Sequence, residues 1–169
     1  MNKVLPILSL IVSLVLGILF FSQKPKVVYV DTGKLFTEFK LAKELDEKLQ
    51  SSQKLKKAAI DSLTQSLNKM NIDLQLDPKN KELFSIARKL DEEIYYKKQM
   101  FEEENQKEMS DLMKTIWTRL NEYLADFGKE NKYEFVMGAN GQANILYGAD
   151  QLDVTKEAID FANKKYNGK

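Results

Sequence analysis

The sequence predicts an α+β protein in which a long antiparallel helical hairpin of the coiled-coil type stands on a small base of β-strands. The first observation is a stretch without glycine from Phe36 to Phe127, in which Pro78 is the only proline. The second is that apolar residues on both sides of Pro78 recur in steps of three and four. This is the spacing of a helix that buries a narrow stripe against another helix. The third is that short segments rich in β-branched and aromatic residues precede and follow this stretch.

The N-terminal segment is strongly apolar. The 18 residues of Val4–Phe21 contain only two polar members, both serines. Such a run is long enough for a short membrane helix, and it also fits the apolar region of a secretory signal peptide. Signal peptidase prefers small residues at −1 and −3, and cleavage after Ser22 would place Phe20 at −3. We therefore expect residues 1–22 to be a signal peptide or a membrane anchor, with the uncleaved anchor favoured, and Lys24 onward to be exported.

A strand and a long helix are expected next. Residues 26–31 are mostly β-branched or aromatic and are bounded by Pro25 and Gly33, so they are predicted to form a strand. A helix is expected to begin near Thr32 to Leu35 and to run to about Leu74.

Pro78 marks the turn of the hairpin, because proline cannot continue a helix and disfavours helix in the preceding residue. The second helix is expected from Lys79 to Phe127, with Gly128 in the left-handed position that often ends a helix. At 1.5 Å per residue, each arm of about 45 residues would reach roughly 60–70 Å. Glu38 to Asp126 carry 18 acidic and 16 basic residues, which is typical of solvated coiled-coil faces. The stripe before Pro78 consists of Ile60, Leu63, Leu67, Met70 and Leu74, and the stripe after it of Met109, Leu112, Ile116, Leu120, Tyr123 and Phe127.

Two further strands are predicted after the hairpin. Residues 133–137 read as a strand, Asn140 and Gly141 favour a two-residue type I′ turn, and residues 143–147 read as the returning strand, closed by Gly148. Three short strands leave open edges, so we expect this sheet to pair with the same sheet in other subunits.

A final helix closes the chain. Asp153 is expected to cap its N-terminus, and the helix is expected to end near Lys165. Its packing face is predicted to consist of Ile159, Phe161 and Ala162. The domain organisation is therefore a leader at 1–22, a β-rich oligomerisation body at 23–34 and 128–169, and a helical hairpin at 35–127.

Composition excludes several classes of function. The net charge of +1 argues against a nucleic-acid-binding protein, which usually shows a clear basic excess. Without histidine there is no Ser-His-Asp catalysis and no common zinc site, and without cysteine there is no disulfide or thiol chemistry. The acidic runs at 91–93 and 102–104 point around a helix instead of converging, so they are interpreted as solvated faces. We expect no catalytic residue, no cofactor and no metal, and hence no enzyme.

Four large side chains of the hairpin fall to the sides of the predicted stripe. They are Tyr95, Tyr96, Met100 and Trp117, whereas Phe101 fits the stripe together with Ile94. One interpretation is that the four widen the packing within the hairpin. The other is that they bind extended apolar segments of other proteins, because flexible methionine and amphipathic aromatic side chains suit contact with many different partners.

The order of these parts resembles the Skp/OmpH family of periplasmic chaperones. The most specific residues are Tyr29-Val30-Asp31 with Leu35-Phe36, and Gly138 to Gly148 followed by Asp153-Val154-Thr155; the likeness extends from Lys26 to Asn167. The resemblance implies a homotrimer whose sheets form a small central β-barrel. It also implies three hairpins, the tentacles, around a cavity that holds unfolded outer-membrane proteins without ATP. Two departures are the leader, which is expected to stay attached, and the near-neutral arm where the family's tentacles are basic.

The expected oligomer interface consists of Val28, Val30, Phe135, Ile145 and Tyr147. The expected function is that of an ATP-independent holdase for unfolded outer-membrane proteins in the periplasm, tethered to the inner membrane if the leader is retained. The alternative is a membrane-anchored coiled-coil adaptor or spacer, which would dock a partner through the hairpin tip at Leu74 to Phe84. The expected partners are unfolded outer-membrane proteins, the membrane through the leader, and further copies of the chain, with no nucleic acid.

Overall fold

The computed structural model describes residues 13–14, 26–141 and 144–168. The leader at 1–22 therefore lies outside the described residues except for two positions. The chain is mostly helical, with two long helices and two short strands. Among the described residues, no helix combines the length and the apolar character needed to cross a membrane. The elements are β1 (Val27–Asp31), α1 (Thr32–Glu38), α2 (Lys40–Leu76), α3 (Lys81–Glu130), β2 (Phe135–Ala139), a 3₁₀ turn (Asp150–Leu152) and α4 (Thr155–Asn167).

The chain divides into two compact units. The base unit comprises residues 26–35 and 122–165, and the arm unit comprises residues 36–121 and 166–168. Each unit is described separately below.

A two-stranded parallel sheet lies at the centre of the base unit. β1 and β2 pair in a register that places Val27 opposite Phe135 and Asp31 opposite Ala139. On the other edge of β1, the Val154 N–H donates to the Tyr29 carbonyl at 3.0 Å. β1 is therefore covered on both edges.

The predicted returning strand at 143–147 is wrong within the described residues, since residues 144–147 form no strand. Gly141 has a positive φ of 70°, but Asn140 does not, so the type I′ turn is not formed. Instead, the Asn144 side chain folds the segment back: its Oδ1 accepts from the Asn140 N–H at 3.2 Å, and its Nδ2 donates to the Gly138 carbonyl. A side-chain turn thus binds backbone groups that a strand would have used.

The end of α3 also differs from the prediction. Gly128 lies inside the helix, and the left-handed residue is Lys132, with φ 58°. The Tyr133 N–H donates to the Gly128 carbonyl at 2.9 Å, and the Lys132 N–H donates to the Lys129 carbonyl at 3.2 Å. This is the double hydrogen bond of a Schellman motif. β2 consequently begins at Phe135, two residues later than predicted.

In the arm unit, the predicted continuous first helix is interrupted at Phe39. This residue is extended (φ −70°, ψ 126°) and separates α1 from α2. Its ring is buried and meets the Tyr166 ring edge-on, with 5.8 Å between the centroids. Burial of this ring stabilises a break that local sequence does not signal.

The turn predicted at Pro78 is confirmed, and α2 and α3 form an antiparallel pair. Asn80 caps α3, because its Oδ1 accepts from the Leu83 N–H at 3.0 Å; for this reason α3 begins at Lys81 and not at Lys79. The antiparallel direction follows from two cross-contacts: Phe36 meets Trp117, and Lys56, further along α2, meets the earlier residue Glu104. Buried residues between the helices of the arm unit are Ala42, Leu49, Ala87, Ile94, Ile116 and Leu120.

The predicted stripe is confirmed only in part. Ile116 and Leu120 are fully buried, whereas Ile60 and the four other stripe residues before Pro78 are half-buried. Met109 is exposed.

α4 runs from Thr155 to Asn167 and packs in the base unit through buried Ile159 and Ala162, as predicted; Phe161 is half-buried. Asp153 binds the start of the helix through the Thr155 N–H, at 2.9 Å, but it stands two residues before the helix start, one before the N-cap position at Val154.

Candidate binding surfaces

Three of the four side chains predicted to bind clients lie together on α3. Tyr95, Tyr96 and Met100 are exposed. The two tyrosine rings meet edge-on at 5.6 Å, and the Gln99 amide donates to the Tyr95 hydroxyl at 2.9 Å. Met100 follows Tyr96 by one helical turn. These three residues form an exposed cluster, named here the tyrosine cluster.

Trp117 does not belong to this cluster. It follows Met100 by 17 helical residues, a distance of about 25 Å along α3. It is half-buried, and its ring lies against the Phe36 ring with 5.8 Å between the centroids. The predicted set therefore occupies two separate places in the arm unit.

A groove of about 450 Å³ opens between α1, α2 and α3 within the arm unit. The exposed side chains of Met109 and Met113 border it. This groove is named here the arm groove, and it is lined by Phe36, Thr37, Ala42, Lys43, Asp46, Met109, Leu112 and Met113.

The arm groove was missed by the sequence interpretation. Met113 had no assigned role, and Met109 was placed on the stripe. The available signal was the spacing of Met109, Met113 and Trp117, which recur every four residues and therefore share one side of the helix.

The chemistry of the arm groove favours apolar ligands without net charge. Its only charged lining residues are Lys43 and Asp46, one of each sign. Two thioether side chains border it, and methionine adapts its shape to different partners because it is unbranched and flexible. The arrangement can bind apolar side chains by packing.

Lys56 joins α2 to α3 further toward the turn. Its Nζ lies 3.0 Å from a Glu108 oxygen and 3.2 Å from a Glu104 oxygen, and its side chain is largely covered. The hydrogen bond to Glu108, supported by the one to Glu104, raises the pKa of Lys56 above its usual value. Glu104 belongs to the acidic run at 102–104, which was interpreted as a solvated face; Glu104 instead binds Lys56 across the hairpin.

The described residues contain no group of acidic side chains able to hold a metal ion.

The base unit carries a second apolar groove of about 500 Å³, named here the base groove. Of the predicted interface residues, Val28 and Val30 are buried within the chain itself, Ile145 is half-buried, and Phe135 and Tyr147 are exposed. The sequence interpretation did not place Met137, Leu146 or Leu152 at an interface, yet all three line this groove. Its lining consists of Val27, Val28, Tyr29, Met137, Asn144, Ile145, Leu146, Tyr147, Gly148 and Leu152.

The base groove is held in shape by Gly148. A Cβ at this position would lie 2.3 Å from the Tyr29 ring, so only glycine allows the segment to approach β1 this closely. Burial of Tyr29, together with nearby Asp153 and Asp150, raises the pKa of its hydroxyl. The close approach leaves Leu146 and Tyr147 facing outward, 88% and 86% exposed.

A third apolar surface lies at the turn between α2 and α3. Leu76 and Phe84 are 82% and 63% exposed, and Ile72 is also exposed, whereas Leu74 and Leu83 are half-buried. Packing within the hairpin therefore does not account for most of these side chains. They are named here the turn patch.

Comparison with known proteins identifies the relatives of this architecture. A model of the family described as outer membrane protein (OmpH-like) matches residues 26–161. A crystal structure of a candidate outer membrane chaperone (OmpH-like) from Caulobacter crescentus CB15 superposes with a TM-score of 0.74. It is 11% identical and covers 84% of this chain and 86% of that chain, so the likeness concerns the fold. No curated protein sequence matches the chain significantly.

Proposed function

The chain belongs to the family of OmpH-like outer membrane proteins, and we propose that it is an ATP-independent holdase chaperone. Its clients are unfolded outer-membrane proteins, which it binds in the periplasm and helps to deliver to the outer membrane. The observation that carries this proposal is the arm groove, an open apolar site walled by exposed Met109 and Met113. Such a site can bind many different apolar segments without selecting one sequence.

The arm groove explains how binding without ATP remains reversible. Its volume of about 450 Å³ accommodates only a few side chains. Burying one leucine or phenylalanine contributes about 1.5–3 kcal/mol, and part of this is lost in ordering the client. Each groove therefore binds weakly, and a client that folds withdraws its apolar residues from it.

Self-association would multiply these weak sites. We propose that Phe135, Ile145 and Tyr147, together with Leu146, contact further copies of the chain in a trimer, and that β strands of three chains form a central barrel. Apolar side chains as exposed as Leu146 and Tyr147 are typical of interfaces. In a trimer, one client could occupy three arm grooves, and linked sites bind far more tightly than single ones.

The trimer is tested by light scattering on the protein and on Tyr147→Glu. Because Tyr147 is exposed, the substitution should leave the fold intact and reduce the trimer to a monomer. A monomeric mass for the unaltered protein at micromolar concentration would exclude the assembly.

We also propose that residues 1–22 remain attached as an inner-membrane tether. An N-terminus near Gln23 in protein from its native cell would refute the tether.

The chaperone function is tested by aggregation of a urea-denatured outer-membrane β-barrel after dilution. The protein should suppress aggregation, and Met109→Gln with Met113→Gln should weaken suppression several-fold without loss of helix content. Glu102→Gln with Glu103→Gln is the matched control, because it changes two exposed residues of the same helix outside the groove. A second variant, Tyr96→Ser with Met100→Ser, measures the contribution of the tyrosine cluster. Absence of suppression by the unaltered protein at every salt concentration would exclude the holdase.

The adaptor or spacer remains a second candidate because of the turn patch. Exposed Leu76 and Phe84 at the end of a helical hairpin form a compact surface that fits one folded partner. This function predicts that Leu76→Ser with Phe84→Ser abolishes capture of a single folded periplasmic protein, while the Met109 and Met113 variant has no effect.

A further inference from the structure

The last two residues of α4, Tyr166 and Asn167, belong to the arm unit and pack onto its helix break. The Tyr166 ring meets the buried Phe39 ring edge-on at 5.8 Å. The Tyr166 hydroxyl donates to Glu44 Oε2 at 2.6 Å, and Lys40 Nζ donates to Asn167 Oδ1 at 2.8 Å. Three consecutive contacts thus join the last residues of α4 to the break and to the first turn of α2.

The same stretch of chain forms one wall of the arm groove. Phe36 and Thr37 line the groove before the break, and Ala42, Lys43 and Asp46 line it after the break. Along α2, Ala42 lies midway between Lys40 and Glu44. Helical residues two positions apart point in nearly opposite directions, so the contacts from α4 hold this wall from the side away from the groove.

We propose that Tyr166 and Asn167 form a latch that holds the wall of the arm groove in its narrow form. When the latch opens, the break at Phe39 lets the start of α2 move away from α3, and the groove widens to admit larger client side chains. The effect on clients rests on the proposed holdase function. The latch itself is a property of the arm unit and can be tested without a client.

The contacts differ in strength. A phenol that donates to a carboxylate at 2.6 Å belongs to the short, charge-assisted hydrogen bonds, and the edge-on aromatic pair adds to it. The contact between Lys40 and Asn167 is exposed and contributes little. Removing the bond between Tyr166 and Glu44 should therefore raise the population of the open form roughly tenfold.

The absence of cysteine from the chain provides a direct test. Ala42→Cys places a single thiol in the groove wall, and Leu49→Cys places one at another buried position of α2, one heptad further on. Each is combined with Tyr166→Phe or Glu44→Gln in the full-length protein, and the rate of reaction with a maleimide is measured. Glu47→Gln, an exposed carboxylate of the same helix, is the matched control for Glu44→Gln.

The latch predicts labelling of residue 42 about tenfold faster with Tyr166→Phe, which removes the bond, and faster by a smaller factor with Glu44→Gln, whose amide oxygen still accepts it but without charge. Labelling of residue 49 and of the Glu47→Gln control should be unchanged. The double variant Tyr166→Phe with Glu44→Gln should label no faster than Tyr166→Phe alone, because both substitutions act on the same bond. Hydrogen exchange of residues 36–46 in variants without introduced cysteines should increase in parallel. Unchanged labelling and exchange would overturn the latch, whatever the client does. If hydrogen exchange rises but affinity for the urea-denatured β-barrel is unchanged, the latch does not regulate the groove. If neither the unaltered protein nor any variant binds the β-barrel, the proposed holdase function is wrong, and hydrogen exchange still decides whether the latch exists.

Discussion

Lys132 holds a backbone conformation that glycine adopts at much lower cost. With φ 58° it lies in the left-handed region, where side chains other than glycine lose about 1–2 kcal/mol. Its side chain is exposed, so replacing it removes no packing. Glycine is in turn penalised by its greater freedom in the unfolded chain, by roughly 0.5–1 kcal/mol. We expect Lys132→Gly to stabilise the protein by about 0.5–1 kcal/mol, which corresponds to a rise in melting temperature of roughly 1–4 °C.

Differential scanning calorimetry on a series of substitutions separates this explanation from others. Lys132→Ala keeps the unfavourable φ and should leave the melting temperature nearly unchanged. Lys132→Asn should lie between alanine and glycine, because asparagine tolerates the left-handed region. Lys132→Val should lower the melting temperature. A glycine variant less stable than the alanine variant would show that the conformation of Lys132 is not a source of strain.

Three further changes test other parts of the structure. Leu120→Ala should cost about 2–5 kcal/mol in urea unfolding because Leu120 is fully buried, and half-buried Leu124→Ala should cost clearly less; equal losses would contradict the assigned core. Gly148→Ala should lower the melting temperature by pushing its Cβ into the Tyr29 ring, and Tyr29→Leu should relieve the loss; no loss in the single variant would remove the role of this contact. The folded state raises the pKa of Lys56 above 10.5, so its stabilisation is present at neutral pH and is lost as pH rises through the folded pKa. Lys56→Met should therefore show a weaker fall in melting temperature between neutral and strongly alkaline pH than the unaltered protein, and an identical pH profile would exclude this contribution.

The hairpin could be predicted because its signals are local. Pro78 interrupts a long glycine-free stretch, and the spacing of the apolar residues specifies helices that pack on each other. The break at Phe39 could not be predicted, because phenylalanine is tolerated in helices and the break is stabilised by Tyr166, far away in the chain. The turn at Asn140 and Gly141 was a sound local signal, but the side chain of Asn144 competes for the same backbone groups.

The candidate site was predictable to a smaller extent. Tyr95 and Tyr96 lie to the side of the stripe and are exposed, whereas Trp117, which also lies to the side, is half-buried against Phe36, so position relative to the stripe did not separate them. The arm groove depends on volume instead of spacing. Small Ala42 lines it together with Met109 and Met113, and a larger residue at 42 would occupy part of the space they border. A pattern read along one helix contains no information on the size of residues on the other.

The parallel pairing of β1 with β2 has a consequence for the order of folding. About 100 residues separate the two strands, and closing such a loop directly is entropically unfavourable. Once the hairpin has formed and Phe36 lies against Trp117, only about 20 residues remain in the loop, which lowers the closure cost by roughly 1.5 kcal/mol. The hairpin should therefore form first and the sheet last. Truncating Ile116 should slow folding, whereas truncating Val30 should mainly accelerate unfolding. In a chain whose β2 has not yet been synthesised or exported, the apolar face of β1 would be uncovered.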